Sequence, residues 1–66
     1  MNVIINGEER SVEGTASLAE LLANLELPER RIAVELNKKV VRRSDWASVE
    51  VSEGDRVEIV HFVGGG

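Results

Sequence analysis

The sequence contains no cysteine, a single histidine, two aromatic residues and no long apolar run. Without cysteine the chain can form no disulfide, use no thiolate nucleophile and hold no Cys-ligated metal. The histidine, His61, has no second histidine to share a metal ion with, so neither a metal-binding nor a catalytic role is expected for it. The lack of a long apolar run excludes a membrane-spanning helix.

Other missing features narrow the class of protein further. Residues 1–6 lack the basic region and cleavage site of a secretory signal. No G-x-x-x-x-G-K-[ST] phosphate loop is present, so the chain is not expected to bind ATP itself. The net charge of −4 disfavours nucleic acid and anionic membranes as partners and suits a basic protein. We therefore expect a cytoplasmic protein that has no cofactor of its own.

The chain is short and ends on three glycines. Its 66 residues suffice for one domain with a small core, which we place at 1–63. Gly64, Gly65 and Gly66 have no side chains to pack and lose much backbone entropy on ordering, so 64–66 is predicted to be a flexible tail. Such a tail is either a frayed terminus or a carboxylate that enters a narrow slot in another protein. From Val63 onward it could extend over at most roughly 13 Å.

Alternating apolar residues predict the strands. The apolar run at 2–6 is followed by the hairpin signal Asn6-Gly7 and by a polar returning strand at 9–12, which suits a sheet edge. Residues 32–36 alternate with period two and predict a buried strand. The last predicted strand has Val57 and Ile59 facing inward. This last strand is predicted at 56–62. The remaining predicted elements are a short strand at 40–42, a short turn or single helical turn at 44–46 with Ser44 or Asp45 as its cap, and a brief extended segment at 49–51.

One helix is predicted between the second and third strands. Ser17 and Glu20 form the Ser-x-x-Glu capping box, which satisfies free amides at a helix start. Leucines at i, i+3, i+4 and i+7 then form one apolar stripe. These are Leu18, Leu21, Leu22 and Leu25. The helix should end near Leu25 or Glu26, because Leu27 precedes a proline.

A single helix with one apolar stripe should lie across one face of a single mixed sheet of four to five strands, an α+β fold. Ile4, Val60 and Phe62 are then expected to sit together on the opposite face. Nothing else in the chain is left to cover them. An uncovered apolar patch beside a flexible tail predicts a surface where a partner protein docks.

This arrangement resembles the ubiquitin-like β-grasp proteins, and within them the ThiS family of sulfur carriers in thiamine biosynthesis. The chain is as short as members of that family, and the resemblance covers nearly all of it. The segments that carry the resemblance are the helix start at 17–22, the stretch from Ala33 to Trp46 and the tail at 58–66. Arg42-Arg43 stands where many members have Pro-Arg.

The resemblance implies chemistry at the carboxyl terminus. An activating-enzyme-like adenylyltransferase would use ATP to adenylate Gly66, and a persulfide sulfur donor would convert it to a thiocarboxylate. Thiazole synthase would then take up that sulfur. Gly64 and Gly65 would let the tail enter the partner's slot, and no residue of the chain would be catalytic or bind a metal.

Other functions share parts of this pattern. The small subunit of molybdopterin synthase is a related sulfur carrier, although it is longer and differs between Asn37 and Trp46. A ubiquitin-like modifier would instead be conjugated through Gly66 to lysines of target proteins. A plain interaction module would not use its glycines at all.

Overall fold

The computed structural model describes residues 1–13, 17–25 and 31–62. Within these ranges the chain forms five strands, one α-helix and one short 3-10 helix. In chain order they are β1 (Asn2–Ile5), β2 (Glu8–Ser11), α1 (Leu18–Asn24), β3 (Ile32–Leu36), β4 (Lys39–Val41), the 3-10 helix (Arg43–Asp45) and β5 (Arg56–His61). The strands form one sheet in the order β2-β1-β5-β3-β4. Only β1 and β5 are parallel, so the sheet is mixed as predicted.

The first two strands form the predicted hairpin. Asn6 and Gly7 have φ angles of 50° and 84°, the left-handed geometry that a two-residue hairpin turn requires. The alternation in β1 buries Val3 and Ile5. β2 is exposed along its whole length and lies at the edge of the sheet, as its polar sequence predicts.

The start of the helix satisfies each of its free amides. The Ser17 hydroxyl accepts from the Glu20 N–H at 3.1 Å, and the Glu20 carboxylate accepts from the Ser17 N–H at 3.2 Å, so the predicted capping box is confirmed. The N–H groups of Leu18 and Ala19 donate to the carbonyls of Val49 and Trp46. The helix is thus fixed at its N-terminus both by its own cap and by the 46–49 segment.

The core lies between the helix and one face of the sheet. The helix contributes three leucines, and the inward residues of β1, β3 and β5 pack against them. Trp46 closes the core: it is 5% exposed, and its indole N–H donates to the Val41 carbonyl at 3.0 Å. The buried hydrophobic residues are Val3, Ile5, Leu18, Leu21, Leu22, Ile32, Val34, Trp46, Val51, Val57 and Ile59.

The segment after β3 differs in detail from its prediction. β4 begins at Lys39, one residue earlier than expected, because the turn before it needs only Asn37 and Lys38, both with positive φ. The cap predicted at Ser44 or Asp45 is wrong: Arg42 precedes the 3-10 helix and makes no side-chain cap. The 49–51 segment, predicted to be brief and extended, forms a single bridge between Glu50 and Ser17.

Candidate docking surface

β5 is the central strand of the sheet and leads directly into the glycine tail. It pairs with β1 on one side and with β3 on the other. Val57 and Ile59 are buried as predicted, and the Phe62 N–H donates to the Arg31 carbonyl at 2.9 Å. The strand is therefore held up to the last described residue. The predicted tail residues, Gly64, Gly65 and Gly66, lie outside the described part of the chain.

Asn6 holds β5 from the other side. Its backbone N–H donates to the Val57 carbonyl at 2.9 Å, and its side-chain Oδ1 accepts from the Ile59 N–H at 2.7 Å. The sequence predicts Asn6 only as a turn residue. Its second role could not be read from the Asn-Gly motif, because the register between β1 and β5 decides which amide the side chain reaches.

An apolar patch lies where β5 ends, on the sheet face away from the helix. We call Ala33, Val60 and Phe62 the β5 patch. Val60 and Phe62 are 59% and 54% exposed, and Ala33 lies directly opposite Val60 in the β3–β5 pairing. The expected exposure of Val60 and Phe62 is thus confirmed. Ala33 was not predicted here, although its place between the inward residues Ile32 and Val34 implies an outward side chain.

Ile4 lies on the same face but is not part of the β5 patch. In the parallel pairing of β1 with β5, Ile4 stands opposite Arg56. Val60 lies four residues further along β5, a distance of roughly 13 Å. The expectation that Ile4 sits together with Val60 and Phe62 is therefore wrong, because the register between two strands far apart in sequence was not predictable.

An open depression of ≈ 380 Å³ surrounds Ile4 on this face. Its lining mixes charges of both signs with apolar side chains. Glu35 and Glu58 are directly opposite each other in the β3–β5 pairing, an arrangement of like charges that destabilises a sheet. Arg56 and Lys38 line the same depression. The lining residues are Ile4, Asn6, Gly7, Glu35, Lys38, Arg56, Val57 and Glu58.

A third exposed valine lies away from the strand that leads to the tail. Val40 is 72% exposed and stands opposite Glu35 on β4, the other edge strand of the sheet. The sequence indicates that one of the neighbours Val40 and Val41 must face outward, since successive strand residues point to opposite faces. Val40 thus shares the open face with Val60 but lies two strands away from it.

Two structural observations bear on other kinds of site. Within residues 1–13, 17–25 and 31–62, no group of three or more His, Cys, Asp or Glu side chains is arranged to hold a metal ion. No helix in the described part of the chain is long and apolar enough to cross a membrane. His61, exposed at the end of β5, belongs to no such cluster.

Comparison with known proteins identifies the family. The model of the ThiS family matches residues 3–66. The sulfur carrier protein ThiS of Bacillus subtilis is 36% identical over 63 residues, which cover 94% of this chain and 96% of that protein. A crystal structure of the thiamine biosynthesis protein ThiS from Geobacter metallireducens superimposes with a TM-score of 0.87 at 36% identity, covering both chains completely.

Two further relatives are much longer than this chain. Proteins named thiazole synthase from Paramagnetospirillum magneticum and Magnetococcus marinus are 44% and 41% identical to it over 66 residues. The chain spans only 20% of the length of each.

These matches agree with the sequence-based interpretation. The helix across one face of a five-stranded mixed sheet is the ubiquitin-like fold of the Geobacter protein, so the predicted fold class is confirmed. The predicted kinship with the sulfur carriers of thiamine biosynthesis is confirmed at the level of the family, by the family match and by both proteins named ThiS. The chain belongs to the ThiS family.

Proposed function

We propose that this chain carries sulfur on the C-terminal carboxyl group of Gly66 and delivers it for synthesis of the thiazole moiety of thiamine. The observation that supports this most directly is the ThiS family match, which runs through the glycines to residue 66. The fold is consistent with it. β5 is paired on both sides near its start, and the hydrogen bond from the Phe62 N–H to the carbonyl of Arg31, the residue before β3, fixes its end.

The chemistry proposed at Gly66 begins with activation. A carboxylate is a poor electrophile, and transfer of AMP from ATP to its oxygen makes an acyl-adenylate while pyrophosphate leaves. The terminal sulfur of a persulfide then attacks the carbonyl carbon and displaces AMP. A thiolate cleaves the resulting S–S bond, which leaves a thiocarboxylate on Gly66 and a disulfide on the donor side. Since the chain has no cysteine, it cannot carry the sulfur as a side-chain persulfide, which is consistent with a thiocarboxylate at Gly66.

The proposed partners are an adenylyltransferase, a persulfide donor and thiazole synthase. Support for the last comes from the two long relatives, in which a region similar to this chain belongs to a protein named thiazole synthase. The carrier acts as a co-substrate of these enzymes and catalyses no step itself. Because activation consumes ATP, we place the reaction in the cytoplasm.

A chemically loaded carrier tests the donation step directly. The chain bearing a Gly66 thiocarboxylate should support thiazole formation by thiazole synthase supplied with its other substrates, and it should return to the carboxylate form. The same chain with an ordinary carboxylate should give no product. If the loaded chain gives no thiazole with an enzyme that accepts another ThiS carrier, or becomes linked to lysines of other proteins, the proposed function is wrong.

The β5 patch should contribute to partner binding more than to folding. Phe62→Ala removes a side chain that is 54% exposed and adjoins the tail. We expect affinity for thiazole synthase to fall about tenfold, while the free energy of unfolding changes by only about 0.5 kcal/mol. Calorimetric titration and urea unfolding measure the two effects separately.

A matched pair of valines provides the control for this prediction. Val60→Ala and Val40→Ala remove the same atoms from two exposed strand residues on the same face, but only Val60 lies in the β5 patch. Val60→Ala should weaken binding and Val40→Ala should not. Equal effects of both substitutions on affinity would show that the partner does not dock at the end of β5.

A further inference from the structure

The backbone of β5 has one side that is only partly paired. Successive residues of β5 direct their backbone N–H and C=O groups alternately toward β3 and toward β1. Toward β3, the Arg56 carbonyl accepts from the Asn37 N–H and the Phe62 N–H donates to the Arg31 carbonyl. Toward β1, the bonded groups belong to the alternate residues: the carbonyls of Asp55 and Val57 accept, and the Ile59 N–H donates to Asn6 Oδ1. The backbone groups of His61 therefore face the β1 side.

On that side β1 ends before β5 does. β1 stops at Ile5, and the Asn6-Gly7 turn carries the chain away into β2. The β1–β5 pairing covers only Ile4 with Arg56 and Ile5 with Val57, and the Asn6 side chain supplies the last bond. Three groups beyond it make no hydrogen bond to any of the described residues. We call them the open β5 edge: the Ile59 carbonyl, the His61 N–H and the His61 carbonyl.

We propose that an extended segment of thiazole synthase pairs with the open β5 edge as an added strand, in line with β1. The proposal rests on the proposed function, in which the tail enters that enzyme. Its two strongest supports are the short reach of the tail and the cost of burying the edge.

The tail is short, so the enzyme must come close to the edge. From Val63 to Gly66 the chain can span at most roughly 13 Å. An enzyme that holds the Gly66 carbonyl at its reaction centre therefore has to pack against the end of β5. A pairing strand needs to approach to about 4.8 Å, which lies well within that range.

Burial of the edge then requires partners for its polar groups. Each backbone amide or carbonyl that is buried without a hydrogen bond lowers the affinity of the complex about fivefold to hundredfold. The open β5 edge presents an acceptor, a donor and an acceptor at strand spacing. A backbone strand supplies the complementary donor, acceptor and donor.

The neighbouring side chains indicate the composition of the added strand. On the open face its residues would lie beside Val60 and Phe62, which are both largely exposed. Alternate residues of the enzyme segment should therefore be apolar. A proline at the position that meets the His61 carbonyl is excluded, because that position has to donate an N–H.

Amide hydrogen exchange tests this pairing without any substitution. In the free chain the His61 amide should exchange faster than the Phe62 amide, which already donates to Arg31. On complex formation with thiazole synthase, exchange at His61 should slow at least tenfold. Unchanged exchange at His61 in a complex that does form would overturn the proposal.

A pair of substitutions at one position provides the second test. His61→Pro removes the N–H from the open β5 edge, at a position where proline breaks no hydrogen bond among the described residues. His61→Ala removes the side chain and keeps the N–H. We expect His61→Pro to weaken binding to thiazole synthase tenfold or more relative to His61→Ala. Equal affinities of two folded variants would contradict the pairing.

The two experiments separate this inference from the function on which it rests. If the unsubstituted chain binds thiazole synthase but His61 gains no protection, the added strand is wrong and the sulfur-carrier function stands. If the unsubstituted chain does not bind the enzyme at all, the proposed partner and the added strand are both wrong. If His61→Pro fails to fold, the exchange measurement on the unsubstituted chain decides.

Discussion

Leu22→Ala should lower the free energy of unfolding by roughly 2–5 kcal/mol. Leu22 is 2% exposed and packs in the core between the helix and the sheet. Its loss removes buried apolar surface and leaves a cavity that the neighbouring strands cannot close, because they are held by the sheet hydrogen bonds. Domains of this size have little stability to spare, so the variant should be partly unfolded at 37 °C. Urea unfolding followed by Trp46 fluorescence measures the change.

Leu25→Ala is the matched control for this substitution. Leu25 belongs to the same leucine stripe but is only partly buried at the end of the helix. The same change should therefore cost distinctly less there. If Leu22→Ala unfolded at nearly the same urea concentration as the unsubstituted chain, the helix face that packs on the sheet would be wrongly assigned.

Removal of Gly65 and Gly66 should abolish sulfur loading while leaving the stability of the fold almost unchanged. Among the described residues, Ile59 is the last one of the buried core and Phe62 makes the last backbone hydrogen bond. Deletion of two residues beyond that point removes no described contact. It does remove the proposed reacting carboxyl group from the place that a partner slot would bind. Thiocarboxylate formation and thermal unfolding of the shortened chain measure the two effects.

The result also distinguishes the alternative functions. A plain interaction module would still bind its partner after the deletion. A sulfur carrier or a protein modifier would lose both activation at its terminus and transfer of the sulfur or of the chain itself. Thiocarboxylate formation in the shortened chain at the original rate would show that Gly66 is not the working residue.

Local structure was predictable wherever neighbouring residues determine it. The capping box of Ser17 and Glu20, the leucine stripe and the Asn6-Gly7 turn depend on contacts within a few residues, and all three were predicted correctly. The inward residues of β5 follow from period-two alternation, which also fixes Val60 and Phe62 on the open face. Val60 and Phe62, the exposed apolar residues at the end of β5, could therefore be predicted from the sequence.

What the sequence does not specify is the register between distant segments. Ile4 meets Arg56 instead of Val60, because the pairing of the first strand with the last is set by how both pack on the helix. The same register brings the Asn6 side chain to Ile59 and leaves the His61 N–H and carbonyl without a hydrogen bond to any described residue. The side-chain cap predicted at Ser44 or Asp45 is absent for a different reason. The 3-10 helix is held by contacts of Trp46, whose indole N–H donates to the Val41 carbonyl and whose ring lies 5.1 Å from the Arg43 guanidinium.

The most direct test of the sulfur-carrier function is the intact mass of the chain before and after loading. The purified chain should first show the mass of a protein that ends at Gly66. After incubation with ATP, its cognate adenylyltransferase and a persulfide sulfur source, the mass should rise by the difference between one sulfur and one oxygen atom, and the gain should map to Gly66. An unchanged mass, with the same enzymes shown to load another ThiS carrier, would contradict the account.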